Sequence, residues 1–243
     1  MPDASSSGDL GILAHTVHDL ATAHMFLGNF AQCRRLATQA VELQRHRDSP
    51  AMTAFALTIV GAGQFYGGEW DDGYQTLQQA EAIIKGLPAS WHAPFVLAYL
   101  GMIETARGQW ESASRHLGQV VAFGESSLIL RPLAEQLLAE QALLRDHSVE
   151  ALSRLQGVDA GQSLYESMMR PTLAWAQMEN EDIASAEATI AGLRPDIGMQ
   201  MPLVVTDALR VHGSVSARQG RYEESRALAG VAYALPRHAV PPR

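Results

Sequence analysis

A single cysteine, Cys33, among 243 residues rules out an internal disulfide framework and fits a reducing compartment. Cations are also few: 18 Lys and Arg stand scattered against 26 Asp and Glu, for a net charge of −8. Direct contact with a nucleic-acid backbone needs clustered cations, so this composition argues against it. No apolar run approaches the ~18–20 residues of a membrane span. The start, Met1 to Asp9, is polar and acidic, without the basic region and apolar stretch of a secretion signal. A cytoplasmic protein with no membrane partner is the expectation.

Chemical constellations are missing as well. Gly61, Gly63, Gly67 and Gly68 fit neither the dinucleotide nor the P-loop spacing, and no Lys-Ser/Thr follows. His15 and His18 share a helix face, with His24 about two turns on, but no acid or thiol stands at a matching ligand spacing. No metal and no cofactor are therefore expected. No Ser/His/Asp or Cys/His set can be singled out, so no catalytic residue is assigned.

What the chain does contain is a period. Gly28, Gly68 and Gly108 recur at 40-residue intervals, each two residues before an aromatic: Phe30, Trp70 and Trp110. Gly220 and Tyr222 repeat the pair near the C-terminus. Seven residues before these glycines stand Ala21, Gly61, Gly101 and Gly213; five after stand Cys33, Gly73, Ala113 and Ser225. Two degenerate copies align between them, with Asp146 and Glu181 in the glycine column. Six copies result.

Each copy reads as two amphipathic helices joined by a short turn. The small columns let two backbones approach, and spacings of three and four keep apolar residues on one face. The turn glycine supplies the left-handed or otherwise strained residue that ends the first helix. One helix pair cannot bury its apolar face, but stacked pairs bury a continuous core. Cys33, in a small column, is a packing thiol. Asp71-Asp72 and Glu223-Glu224 sit where they complement a helix dipole.

This pattern resembles the tetratricopeptide repeat family, in the divergent form found in repeat modules of bacterial LuxR-like transcriptional regulators. The resemblance implies an all-α fold, a right-handed α-solenoid of about six helix-turn-helix repeats. It implies one repeat domain over residues 10–235, after a disordered segment 1–9 and before a Pro-rich tail 236–243. It also implies a non-enzymatic scaffold that binds a protein or peptide, or an apolar small molecule, as a sensor or interaction module of a regulator. The alternative is an enzyme with its active site built on the helical array.

In that family the first helices line a concave surface. Carried over by register, the inward positions include Phe55, Phe65, Tyr66, Phe95, Met102, Trp175 and Met178, which form the expected ligand or peptide site. The carboxylate clamp of chaperone-binding repeats does not transfer, because His18, Thr22, Phe26, Thr58, Ala62 and Tyr66 occupy its positions.

Prolines punctuate the pattern. Pro94, Pro132 and Pro202 fall near the starts of first helices, where a missing N–H costs nothing. Pro50 and Pro88 are expected in loops, and Pro171 is expected to kink or split a helix from Leu164 to Met178. The final segment carries Ala227, Leu228, Ala229, Val231, Ala232, Tyr233, Ala234 and Leu235, too many apolar residues for one buried stripe. This helix is therefore expected to be covered, by a second copy in a homodimer through the C-terminal helix or by a further domain.

Overall fold

The computed structural model describes residues 4–87, 91–123, 130–158, 164–191 and 202–234. Among these residues all regular structure is α-helical, in twelve helices. They are α1 (Ala4–Phe26), α2 (Phe30–His46), α3 (Pro50–Tyr66), α4 (Trp70–Lys85), α5 (Ala93–Ala106) and α6 (Trp110–Ala122). The series continues with α7 (Arg131–Leu144), α8 (Ser148–Gln156), α9 (Leu164–Glu179), α10 (Ile183–Ala191), α11 (Pro202–Arg218) and α12 (Tyr222–Ala234). No described helix is long and apolar enough to cross a membrane. Two compact units divide the chain, one running through His116 and one starting at Leu117.

The six turn positions read from the sequence are all left-handed. Gly28, Gly68, Gly108 and Gly220 have φ of 76°, 91°, 72° and 77°, and Asp146 and Glu181 adopt 63° and 64° without being glycine. At each turn the next residue's N–H reaches back five residues, as Asn29 does to His24 O at 2.8 Å and Asp182 to Gln177 O at 3.0 Å. This bond and its shorter companion, Gly28 N–H to Met25 O, satisfy carbonyls that the ended helix leaves orphaned. The second helix then starts two residues after the turn, with Cys33 N–H on Asn29 O and Ala186 N–H on Asp182 O. Asp146 and Glu181 are exposed and carry a left-handed penalty that glycine escapes. Asp146→Gly and Glu181→Gly should each raise stability by about 1 kcal/mol in urea unfolding. A loss in either would show that these side chains hold the turn in some way beyond backbone geometry.

Spacing explains which faces are buried. In α2 the buried set is Cys33, Leu36, Ala37, Ala40, Val41 and Gln44, and in α4 it is Gly73, Leu77, Ala80 and Ile84. Both sets step by three and four residues, so one stripe of each helix is covered. In α5, by contrast, every residue from Val96 to Thr105 is buried. A helix apolar nearly all round is one enclosed by its neighbours. The small columns mark the closest crossings. A Cβ on Gly73 would lie 2.8 Å from Gly61 O, and one on Gly61 would lie 3.0 Å from Gly73 O.

Several expectations are corrected here. Pro50 is the first residue of α3 and not a loop residue, because Asp48 (φ 49°) already ends α2 with the same five-residue back-bond, from Ser49 N–H to Gln44 O at 3.1 Å. Pro171 does not split its helix: α9 continues from Leu164 to Glu179 around it. Helix α1 begins at Ala4, inside the segment expected to lack structure. Pro88 and the Pro-rich tail 236–243 lie outside the described residues. Pro94, Pro132 and Pro202 all open their helices as expected.

Candidate functional site

Within the first unit the expected wall residues fall into two groups, Phe55 with Phe95 and Phe65 with Tyr66 and Met102. Phe55 and Phe65 both sit on α3, ten residues apart, which is ~15 Å along a helix axis. Phe65 and Met102 are buried, while Tyr66 is half-buried and its hydroxyl donates to Met102 Sδ at 3.1 Å. Around them Phe65 lies 5.3 Å from both Tyr66 and Trp70, and Phe30 lies 5.8 Å from Tyr66. This end of α3 is packing over the repeat turn. Trp175 and Met178 belong to the second unit. Met178 is core, with Ala174, Ala186, Ile190, Val211 and Val215. Trp175 is half-buried, donates Nε1–H to Glu179 Oε1 at 3.3 Å, and carries the Arg210 guanidinium 5.1 Å above its ring.

At the other end of α3 the aromatic residues stay accessible. Phe55 stacks on His18 of α1 at 4.2 Å and meets Phe95 of α5 edge-on at 5.0 Å. Trp91, just ahead of α5, lies tilted against His92 at 3.8 Å and 5.9 Å from Phe55. Trp91 is 63% exposed, a large fraction for an indole with three aromatic neighbours. Sequence reasoning misses it because it precedes the helix that carries the period. Its available signal is an indole in an inter-repeat segment.

One turn back along both α1 and α3 lies an open cleft of about 550 Å³. Helix α1 contributes Gly11, Ile12, His15, Thr16 and Asp19; Arg47, Ser49 and Met52 form the rest of the lining. Arg47 lies against Gly11, where an added Cβ would come within 3.0 Å of its Nη2. Its Nη1 donates to Oε1 of the buried Gln44 at 2.9 Å. Ser49 precedes α3, yet its side chain makes no capping hydrogen bond. Of this lining only His15 stands out in the sequence. Arg47 and Asp19 belong to no periodic column, so nothing short of the tertiary arrangement brings them together.

Burial sets the protonation of the histidines beside the cleft. The His18 imidazole is pushed down to about 4, chiefly by desolvation; Asp19 acts against the shift, and His15 and His92 add to it. Burial likewise lowers His92, with His15 contributing. Folded His18 therefore takes up a proton near 4, and the unfolded chain does so near 6.5. The stability that comes with neutral His18 is complete above pH 6.5 and is lost as pH falls through 4. A His18→Phe variant should flatten that section of the Tm-against-pH curve. An unchanged slope would assign the acid sensitivity to other groups.

Cys33 is fully buried, its thiol is pushed up to about 12 by burial, and its sulfur lies 3.8 Å from Ile59 O, as fits a packing residue. A second feature that periodicity does not signal is a buried contact between an imidazole and a carboxylate. His116 Nδ1 lies 2.7 Å from Glu104 Oε2, and Nε2 lies 3.4 Å from Glu81 Oε1. Tyr74 donates to Glu104 Oε1 at 3.4 Å. Glu104 is 1% exposed, so its carboxylate is closed off from solvent, while Tyr74 and Glu81 are half-buried. Among the described residues no three His, Cys, Asp or Glu gather to hold a metal ion.

No protein-family model matches this chain, and no curated protein matches it significantly.

Proposed function

We propose that this chain is a non-enzymatic binding scaffold of tetratricopeptide-like repeats, stacked as a right-handed α-solenoid, which serves in the cytoplasm as the sensor or interaction module of a bacterial transcriptional regulator. The observation that carries this reading is the turn geometry. All six register positions adopt positive φ, including Asp146 and Glu181, where residue type alone would not demand it. A repeated helix-turn-helix unit without a catalytic constellation presents surface, and surface is what a scaffold uses.

The partner face in the first unit is the accessible aromatic cluster of Phe55, Trp91 and Phe95. Aromatic side chains supply large contact area at low entropic cost, which suits an apolar peptide or helix. Affinity capture with the wild type and with a Phe55→Ser/Trp91→Ala variant, compared by quantitative mass spectrometry, tests the reading. A partner retained by the wild type and lost by a still-helical variant is the expected result. Identical captured sets would remove this face from the proposal.

The second surface is α12, which exposes Val231, Tyr233 and Tyr222. A homodimer through this helix is part of the proposal, since closed twofold dimers are the commonest oligomers. Sedimentation equilibrium should show a dimer that Val231→Glu dissociates. A monomer at high micromolar concentration would overturn it.

A further inference from the structure

A contact that recurs along this chain leaves its two halves exposed, one on α1 and one on α12. Within the first unit α2 packs on α3 and α4 on α5; within the second α8 packs on α9 and α10 on α11. The α2–α3 contact shows which residues meet. A Cβ on Gly63 would lie 3.0 Å from Cys33 Sγ and 3.1 Å from Arg34 Cγ, and one on Gly67 would lie 3.7 Å from Phe30 Cβ. One 40-residue period earlier, Gly63 and Gly67 become Ala23 and Leu27 of α1. Thr53 and Ala56, buried in α3, become Leu13 and Thr16. On α1 this face is open. Thr16 and Ala23 are exposed, and Leu13, Leu20 and Leu27 are 45%, 48% and 48% exposed. A spacing of seven is two helical turns, so the leucines form one stripe, on the side away from the buried Ala14, Ala21 and Met25.

Counted from Gly220 as α2 is counted from Gly28, the residues of α12 in the places of Phe30, Arg34 and Ala37 are Tyr222, Arg226 and Ala229. Ala37 is fully buried, whereas Ala229 is exposed and Tyr222 is 67% exposed. Helix α12 thus carries the α2 half of the recurring contact, and α1 carries the α3 half. We infer that α12 of a second copy docks on the α1 face, in the place that α2 holds against α3, so that copies associate head to tail. Tyr222 then meets Phe26 as Phe30 meets Tyr66. Charge favours the same occupant. Asp19 lies one turn from Ala23, and Arg226 takes the place of Arg34 beside that alanine, so docking brings a cation to a carboxylate. A second α1 would bring a second Asp19 instead. Unlike surfaces meet in this contact and each copy keeps one of each free, so association continues past two copies unless a ring closes. The inference rests on the contacts within each unit and not on the Val231 dimer, since Val231 stands on the opposite side of α12 from Tyr222 and Ala229.

The test uses the full chain carrying Val231→Glu, which removes the twofold contact, as the parent. Leu20→Lys added to it spoils the α1 face, and Ala229→Glu added to it spoils the α12 face. Both residues are exposed, so circular dichroism should show each variant folded. In sedimentation velocity at high micromolar concentration the parent should associate past two copies, and each added substitution alone should leave a monomer. An equimolar mixture of the two should form a 1:1 pair and nothing larger, because one intact α12 face then meets one intact α1 face. A mixture that stays monomeric would overturn the proposal. So would a monomeric parent, which would leave the Val231 dimer as the sole association of the wild type. Dimers of the Ala229→Glu variant by itself would mean that α1 pairs with a second α1, and the assignment to α12 would fall.

Discussion

Gly73→Val is expected to cost about 3 kcal/mol, at the upper end of what overpacked cores lose. A Cβ at this position would stand 2.8 Å from Gly61 O and 3.1 Å from Phe65 N, and both are backbone atoms of α3. A side-chain neighbour can rotate away, but a helix backbone can only be displaced as a body, carrying its packed face with it. Gly118→Ala is the matching control. Gly118 lies in α6, and a Cβ added there would meet nothing within 4 Å, so the alanine should gain up to about 1 kcal/mol from helix propensity. Urea unfolding of the two variants should therefore move the midpoint in opposite directions. Equal small shifts would mean that α3 and α4 are not held as close as their glycines allow.

Glu104→Ala should be the most damaging of the single substitutions, with a loss of about 3–5 kcal/mol, the range for removing one partner of a buried acid–base pair. It leaves the buried His116 with Glu81 at 3.4 Å as its one remaining carboxylate and strips Tyr74 of its acceptor. Replacing both partners, Glu104→Leu with His116→Leu, should recover much of that loss, because neither polar partner is then buried without the other. Chemical denaturation of the two single variants and the pair decides the matter. A loss below about 1 kcal/mol in Glu104→Ala would show that water reaches the site.

Legibility in the sequence differs by feature. The turn columns are readable down to Asp146 and Glu181, because register alone places them at the turn, and the structure then shows both left-handed. Cys33 is readable as packing for the same reason. Register misplaces Pro50, because the left-handed Asp48 shortens the connection so far that the next helix begins on the proline itself. Pro171 falls inside a helix that continues through it, where a kink or a split is expected from its ring alone. Register also assembles a concave wall, yet burial separates Phe65, Met102 and Met178 from the accessible Phe55 and Phe95. Trp91, Arg47 and Asp19 have no periodic signal that could draw attention to them.

Residue pattern alone settles the all-helical character, the helix boundaries at the turns and the positions where two backbones approach. These depend on interactions spanning no more than five residues, and on the size of a side chain at a crossing, both of which a repeat register carries. Which first-helix residues stay exposed, and which charges are buried together or left facing an open cleft, follows from the packing of distant segments. Glu81, Glu104 and His116 meet across three helices, and Asp19 and Arg47 line one cleft from separate parts of the chain. Periodicity tells which face of a helix is covered. It does not tell what stands opposite, and the chemistry of a site is set by what stands opposite.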